Sequence, residues 1–203
     1  DPPATAGDER PPVSETLHPA LITPETFTRV TTRAELHDDR PVTVTRAQPE
    51  GGPDSGGEHV TTVVGDTGTL FGYTRQTAGF GAGELPSPDV AERIALAFLA
   101  EVDPGYAAGL TVQWVDRHDE TIVTGDGAET AVSGMKVKTR HDSGLYAWVI
   151  VGAGTEIVTY ERDIRWDPSN ARRHTAMWLH DAWNAARDAG GDELGGMHAP
   201  LDS

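Results

Sequence analysis

Residues 63–76, VVGDTGTLFGYTRQ, return 87 positions later as IVGAGTEIVTYERD, residues 150–163. Val64/Val151, Gly65/Gly152, Tyr73/Tyr160 and Arg75/Arg162 coincide, while Val63/Ile150, Leu70/Ile157 and Phe71/Val158 exchange one apolar residue for another. Each copy sets β-branched and aromatic residues on either side of a Gly-containing turn, the pattern of a hairpin between antiparallel strands. The same offset lays residues 88–101 on 175–188, so the repeat predicts strand, turn, strand and helix made twice.

Helix-start signals of one type occur at TPETF (23–27), SPDVA (87–91) and DPSNA (167–171). Each has a capping residue followed by Pro at the first helical position. The second predicts a helix over 88–101, with Ala91, Ile94, Ala95, Phe98 and Val102 at helical spacing and Asp103-Pro104-Gly105 ending it. The third predicts a helix from 168 to about 189, stopped by Gly190-Gly191. The first runs into FTRVTT, whose β-branched residues suit a strand equally well. Strands are expected at 41–46, 59–65, 69–77, 110–116, 121–124, 131–139, 145–151 and 156–165, with turns at HDSG (141–144) and GAGT (152–155).

The resulting expectation is an α+β protein of antiparallel sheets, each packed by a helix, built from two related units over 20–104 and 105–189. The five prolines of residues 1–19 predict a disordered N-terminal segment, 190–203 a flexible tail and PEGGPDSGGE (49–58) a flexible loop.

SPDVAERIALAFLAEVDP, followed by strands ending in GTEIVTYERDIRW, resembles a PepSY-type domain, the propeptide-like module of bacterial secreted and envelope proteins. The resemblance covers roughly residues 85–165, with a weaker echo before it. It implies a helix laid on an antiparallel sheet, cystatin-like in outline and often in tandem. Functionally it implies a non-catalytic role, binding or restraining another protein, and supplies no catalytic residue.

Composition limits the partners. With 16 basic and 32 acidic residues the formal charge is −16, which argues against nucleic acid or an anionic membrane surface. No cysteine is present, so disulfides, thiolate metal sites and thiol nucleophiles are excluded. No apolar run reaches the roughly 18 residues of a spanning helix, so no transmembrane segment is expected. The polar, Pro-rich start, DPPATAGDERPP, suits an extracytoplasmic (secreted or envelope) location.

Several motifs invite chemistry and fail on geometry. In RRHTAMWLHD (172–181), a helix would hold His174 and His180 about 120° apart, with His180 exposed and His174 beside Asp181, so no helical metal pair forms. Of the four His-Asp dipeptides, at 37–38, 118–119, 141–142 and 180–181, three are expected in turns. Asp116, Asp119, Glu120, Asp126 and Glu129 gather around an expected turn but lack the spacing of a calcium loop. GFGAGE (79–84) has Glu84 where a dinucleotide loop needs its third glycine, and Leu-Pro-Ser-Pro parts it from the helix. No metal and no cofactor is therefore expected.

The Tyr-x-Arg pairs remain. Strand alternation places Val158, Tyr160, Arg162 and Ile164 on one face, and lines up Phe71, Tyr73 and Arg75 likewise. An arginine on an apolar face must be paired or reach water, so each is expected to meet a carboxylate or carbonyl at the sheet's edge. Functionally, Tyr160, Arg162 and Trp166, with Tyr73, Arg75 and Trp148, are the candidate residues for an anionic ligand or acidic peptide terminus. The reading is a non-enzymatic extracytoplasmic module that binds or inhibits a protein partner. Two alternatives stand: a small-molecule-binding protein or enzyme with a curved-sheet pocket, resembling ketosteroid-isomerase-like folds, and an acidic cation-binding accessory domain.

Overall fold

The computed structural model describes residues 17–169 and 171–191. Most of the expected disordered segment 1–19 and of the expected tail 190–203 lies outside the described residues. The chain forms two four-stranded meanders. The first is β1 (Arg29–His37), β2 (Arg40–Gln48), β3 (His59–Gly65) and β4 (Leu70–Gln76); the second is β5 (Leu110–Val123), β6 (Glu129–His141), β7 (Tyr146–Val151) and β8 (Ile157–Ile164). Between them lie α1 (Pro88–Val102) and the single turn α2 (Pro104–Ala107). After β8 come the two-residue strands β9 (Trp166–Asp167) and β10 (Arg172–Arg173), then α3 (Asp181–Asp188).

The fold is α+β, and the sheets expected as two are one. Strand β4 pairs antiparallel with β8 at Gly72↔Glu161, Tyr73↔Tyr160 and Thr74↔Thr159. The continuous order is β1-β2-β3-β4-β8-β7-β6-β5. The last strands of the two meanders thus meet at the sheet's centre, with the repeated tyrosines opposite each other. The ambiguous stretch FTRVTT enters β1, as its β-branched residues allow, after a turn in which the Phe27 N–H donates to the Pro24 carbonyl. The two short strands expected at 110–116 and 121–124 are one 14-residue strand, β5. Asp116, Asp119 and Glu120 therefore stand along a strand rather than around a turn.

The hairpins β3/β4 and β7/β8 have the same internal geometry. Gly65 N–H donates to the Thr69 carbonyl at 2.8 Å, and Gly152 N–H to the Glu156 carbonyl at 2.8 Å. Gly68 and Thr155, also 87 apart, both have positive φ, 88° and 62°. In β3/β4 the register steps from Val63↔Gly72 to Val64↔Leu70; in β7/β8 it steps from Ile150↔Thr159 to Val151↔Ile157. One residue is bulged out in each, Phe71 and Val158. A bulge shifts the face on which a side chain stands. Phe71 therefore leaves the face of Tyr73 and packs with Val63, against the expectation that Phe71, Tyr73 and Arg75 line up. Each bulged side chain lies over the hairpin glycine: a Cβ on Gly65 would meet Phe71 at 2.8 Å, and one on Gly152 would meet Val158 at 2.7 Å.

Helix α1 forms where its pattern placed it, with the Ser87 hydroxyl accepting from the Val90 N–H at 3.4 Å and Pro88 in its first turn. Its buried stripe of Ala91, Ala95, Phe98 and Leu99 covers one face of the sheet, chiefly over β5, β6 and β7. The two alanines let the backbone approach closely, and Phe98 meets Tyr160 edge-on at 5.4 Å. This helix face has a continuous core that includes Val60, Leu70 and Tyr73 of the first meander and Val137, Val149 and Tyr160 of the second.

The opposite face is covered by an irregular strap. The helix expected from 168 to about 189 exists only as α3, over Asp181–Asp188. Before it, β10 folds back on β9, and Met177, Trp178 and Leu179 are all buried against Val42, Val44, Val63 and Phe71. Three consecutive side chains on an α-helix fan over about 200°. Burying all three against one sheet requires the helix to be broken there. Arg173 anchors the strap through a buried ion pair with Glu161 and donates to the carbonyls of Thr175 and Ala176. Among the described residues no helix is long and apolar enough to cross a membrane.

The hairpin geometry carries a direct expectation. Gly65→Ala and Gly152→Ala should each lower unfolding free energy by about 1–3 kcal/mol, because the bulged side chain has to move. Urea titration of the two single variants checks this, with losses of similar size expected at both sites.

Candidate functional site

The six residues singled out in the sequence do not converge. Tyr73 and Tyr160 are each 1% exposed at the centre of the helix face. The Tyr73 hydroxyl donates to the Ile22 carbonyl at 2.8 Å and accepts from the Ile22 N–H at 3.1 Å; burial pushes its phenol up to about 12. Because β4 and β8 run in opposite directions, Arg75 and Arg162 leave this centre in opposite senses, roughly 13 Å apart along the strands. Arg162 pairs with Asp103 at 2.9 Å and Asp163 at 3.3 Å, and lies 3.5 Å over the Tyr106 ring. Arg75 lies 3.6 Å from Glu156 and 4.9 Å over Phe80. Both arginines therefore have carboxylate partners, as their apolar setting requires.

Trp148 and Trp166 stand on the strap face. The two lysines of the chain join them there: Lys136 lies 4.2 Å from the Trp148 ring, and Lys138 lies 5.2 Å from Trp166, 5.0 Å from Tyr146 and 5.4 Å from Trp114. The cross-strand row Trp114–Lys138–Trp148 produces this cluster, since all three have the same register across β5, β6 and β7.

A cleft of about 480 Å³ opens on the same face, between α3 and the far ends of β3, β4 and β5. Ile122, Met177, Leu179, Ala182 and Trp183 supply its apolar wall, while His59, Gln76, Glu120, His180 and Asp181 supply the polar one. Strand alternation explains the polar set: His59 and Thr61 on β3, Thr74 and Gln76 on β4, and His118, Glu120 and Ile122 on β5 share the strap face. The Gln76 amide donates to the Thr74 hydroxyl at 2.9 Å and to Glu120 Oε2 at 2.7 Å. Its own Oε1 is buried and has no hydrogen-bond partner. A buried acceptor left unpaired costs free energy.

Two ion-pair groups flank Gln76. Glu120 Oε1 lies 3.4 Å from His180 Nδ1 and 3.7 Å from His118 Nε2. Desolvation would raise the Glu120 carboxyl, but the two imidazoles outweigh it and hold the carboxyl well below its usual range. The same contact raises His180 against the desolvation that opposes it. On the other side, Asp181 accepts from Arg46 at 2.7 and 3.1 Å and from the Gly56 N–H at 2.8 Å. His59 lies 3.8 Å from Asp181, and its Nδ1 meets the Thr61 hydroxyl at 2.8 Å. Burial, with Arg46 nearby, pushes the His59 imidazole down to about 4.

These contacts reverse two expectations. His180 is not an exposed helical residue; it precedes α3 and faces Glu120. Asp181 pairs with Arg46 and His59 rather than with His174. Both follow from the broken helix, which redirects 174–180 across the sheet. Of the polar residues lining the cleft, Gln76 and His59 gave no local signal, because their meaning lies in strands far apart in sequence. Among the described residues no group of three or more His, Asp or Glu is arranged to hold a metal ion.

Two outcomes are expected. Arg162→Ala should lower the melting temperature by about 5–10 °C, because it removes the arginine from Asp103, leaves Asp163 to Arg40 alone and uncovers Tyr106; a melting scan with no change would show that these contacts add nothing to the fold. Between pH 6.5 and about 4 the unfolded chain takes up a proton at residue 59 that the folded chain resists. Stability should therefore fall as pH drops through that window, and His59→Gln should flatten the slope of melting temperature against pH there. His180 acts oppositely: its raised value gives stability that is full below 6.5 and lost as pH rises through its folded-state value.

Compared with known proteins, the chain matches no family model, no curated protein and no solved structure, which leaves the geometry of the cleft as the ground for a functional assignment.

Proposed function

We propose that this protein is a non-catalytic binding module that holds a small molecule in the cleft between α3 and the sheet. The observation that carries this reading is a cleft of about 480 Å³ in which an apolar wall of Ile122, Met177, Leu179 and Trp183 stands with the polar side chains of His59, Gln76 and Glu120. Such a volume suits a metabolite-sized ligand, and an apolar wall with a few convergent polar groups is the usual make-up of a binding site. Binding is favoured over catalysis because the titratable groups are already engaged. Asp181 is held by Arg46 and Gly56, Glu120 by Gln76 and His180, and His59 by Thr61.

The reading includes a duplicated scaffold. Its supports are the matching Gly65/Gly152 hydrogen bonds, the bulges at Phe71 and Val158, and the Tyr73↔Tyr160 pairing. The order of α1 followed by β5–β8 supports the PepSY-type resemblance, and with it an extracytoplasmic site of action. A second reading, a protein partner, is favoured by one observation: β5 ends the sheet order and is 14 residues long. An edge strand offers its backbone to an added strand.

A thermal-shift screen of uncharged, cationic and anionic metabolites tests the first reading. At least one compound should raise the melting temperature of the wild type and not of Ala182→Trp, which fills the cleft mouth. Shifts that survive this substitution would place binding elsewhere and overturn the reading.

A further inference from the structure

Resting on the reading of the cleft as a binding site, we infer that its ligand is an uncharged, largely apolar small molecule. Ionised side chains stand in the wall of the cleft, and each is already matched. Asp181 accepts from the Arg46 guanidinium at 2.7 and 3.1 Å and from the Gly56 N–H at 2.8 Å. Glu120 is flanked by the imidazoles of His180 and His118, at 3.4 and 3.7 Å, and accepts from Gln76 at 2.7 Å. Arg187 pairs with Glu35 at 3.2 Å and with Asp188 at 3.6 Å. A charged ligand entering here gives up its hydration and must either stay unmatched or break one of these pairs. Both courses cost free energy that an uncharged ligand does not lose.

The apolar lining adds to this selection. Ala182 and Ala186 stand about one turn apart on α3, and both are exposed and line the cleft. Their methyl groups leave open a space between helix and sheet that longer side chains would fill. Ile122, Met177, Leu179 and Trp183 are buried residues that complete the lining, so a ligand seated here meets hydrocarbon, thioether and indole. His59 reports how little the surroundings support a charge. Although Asp181 lies 3.8 Å away, burial pushes its imidazole down to about 4, so it is neutral at physiological pH.

Calorimetric titration of the full chain with three matched sets of probes tests the inference. The sets are cyclohexylmethanol, 2-naphthalenemethanol and 1-octanol, each beside the carboxylate and the primary amine of the same carbon skeleton. At least one alcohol should bind with a Kd below about 1 mM, and at least tenfold more tightly than either of its charged partners. A formal charge of −16 draws cations toward the surface, which makes the amines the stringent controls. Ala182→Trp and Ala186→Trp should each weaken the alcohol at least tenfold; two exposed positions are used so that a folding defect in one variant leaves the other to read. Carboxylates or amines that bind as tightly as the alcohols, and are lost in both variants, would overturn the uncharged assignment while leaving the cleft as a binding site. Failure of all three alcohols would overturn the uncharged assignment outright. Alcohol binding that neither variant weakens would overturn the cleft itself.

Discussion

Three residue pairs join the two halves of this protein. Gly72, Tyr73 and Thr74 of β4 meet Glu161, Tyr160 and Thr159 of β8, and through this short ladder two four-stranded meanders become one sheet. So few backbone pairs would hold weakly alone, and the side chains on both faces reinforce them. On the helix face Tyr73 and Tyr160 fill the centre of the core beneath Phe98. On the strap face the Thr74 and Thr159 hydroxyls share a hydrogen bond at 2.8 Å, and Leu179 packs over Gly72, where a Cβ would come within 3.2 Å of it. Glu161, next in the same ladder, receives Arg173.

The strap depends on that seam. Arg173 brings a buried charge into the sheet, tolerable only because Glu161 and two strap carbonyls take up its donors. Once it is fixed there, Met177, Trp178 and Leu179 fall onto β2, β3 and β4, and the Trp178 indole N–H donates to the Leu36 carbonyl at 2.9 Å. Helix α3 then begins beside the sheet rather than on top of it. The cleft is the space between, and its polar wall comes from strands of both meanders, with His59 and Gln76 from one and Glu120 from the other. Neither half could form it alone.

The elements legible in the sequence were those whose pattern is local. Ser87-Pro88 and the spacing of Ala91, Ala95 and Phe98 marked α1 correctly, and the glycine turns marked both hairpins. The requirement that Arg75 and Arg162 find carboxylates was met by Glu156, Asp103 and Asp163. Where local pattern and tertiary packing disagreed, packing prevailed. Asp167-Pro168 looked like a helix start, yet Arg173 and the run Met177–Leu179 gain more from the sheet than from helical hydrogen bonds. Alternation put Phe71 beside Tyr73, but the bulge over Gly65 sent it to the other face.

The sequence by itself determined the antiparallel strands, the one long helix, the two glycine-turned hairpins and the exclusion of thiol chemistry. Each of these depends on residues within a few positions of one another, or on composition. The tertiary structure alone decided that β4 pairs with β8, that the C-terminal segment runs as a strap, and that His59, Gln76, Glu120 and Asp181 share one cleft. These depend on contacts between residues as far apart as Arg46 and Asp181, whose ion pair spans 135 positions. Strand periodicity states which face a residue occupies within its own strand; only the pairing of strands states which neighbours it meets there.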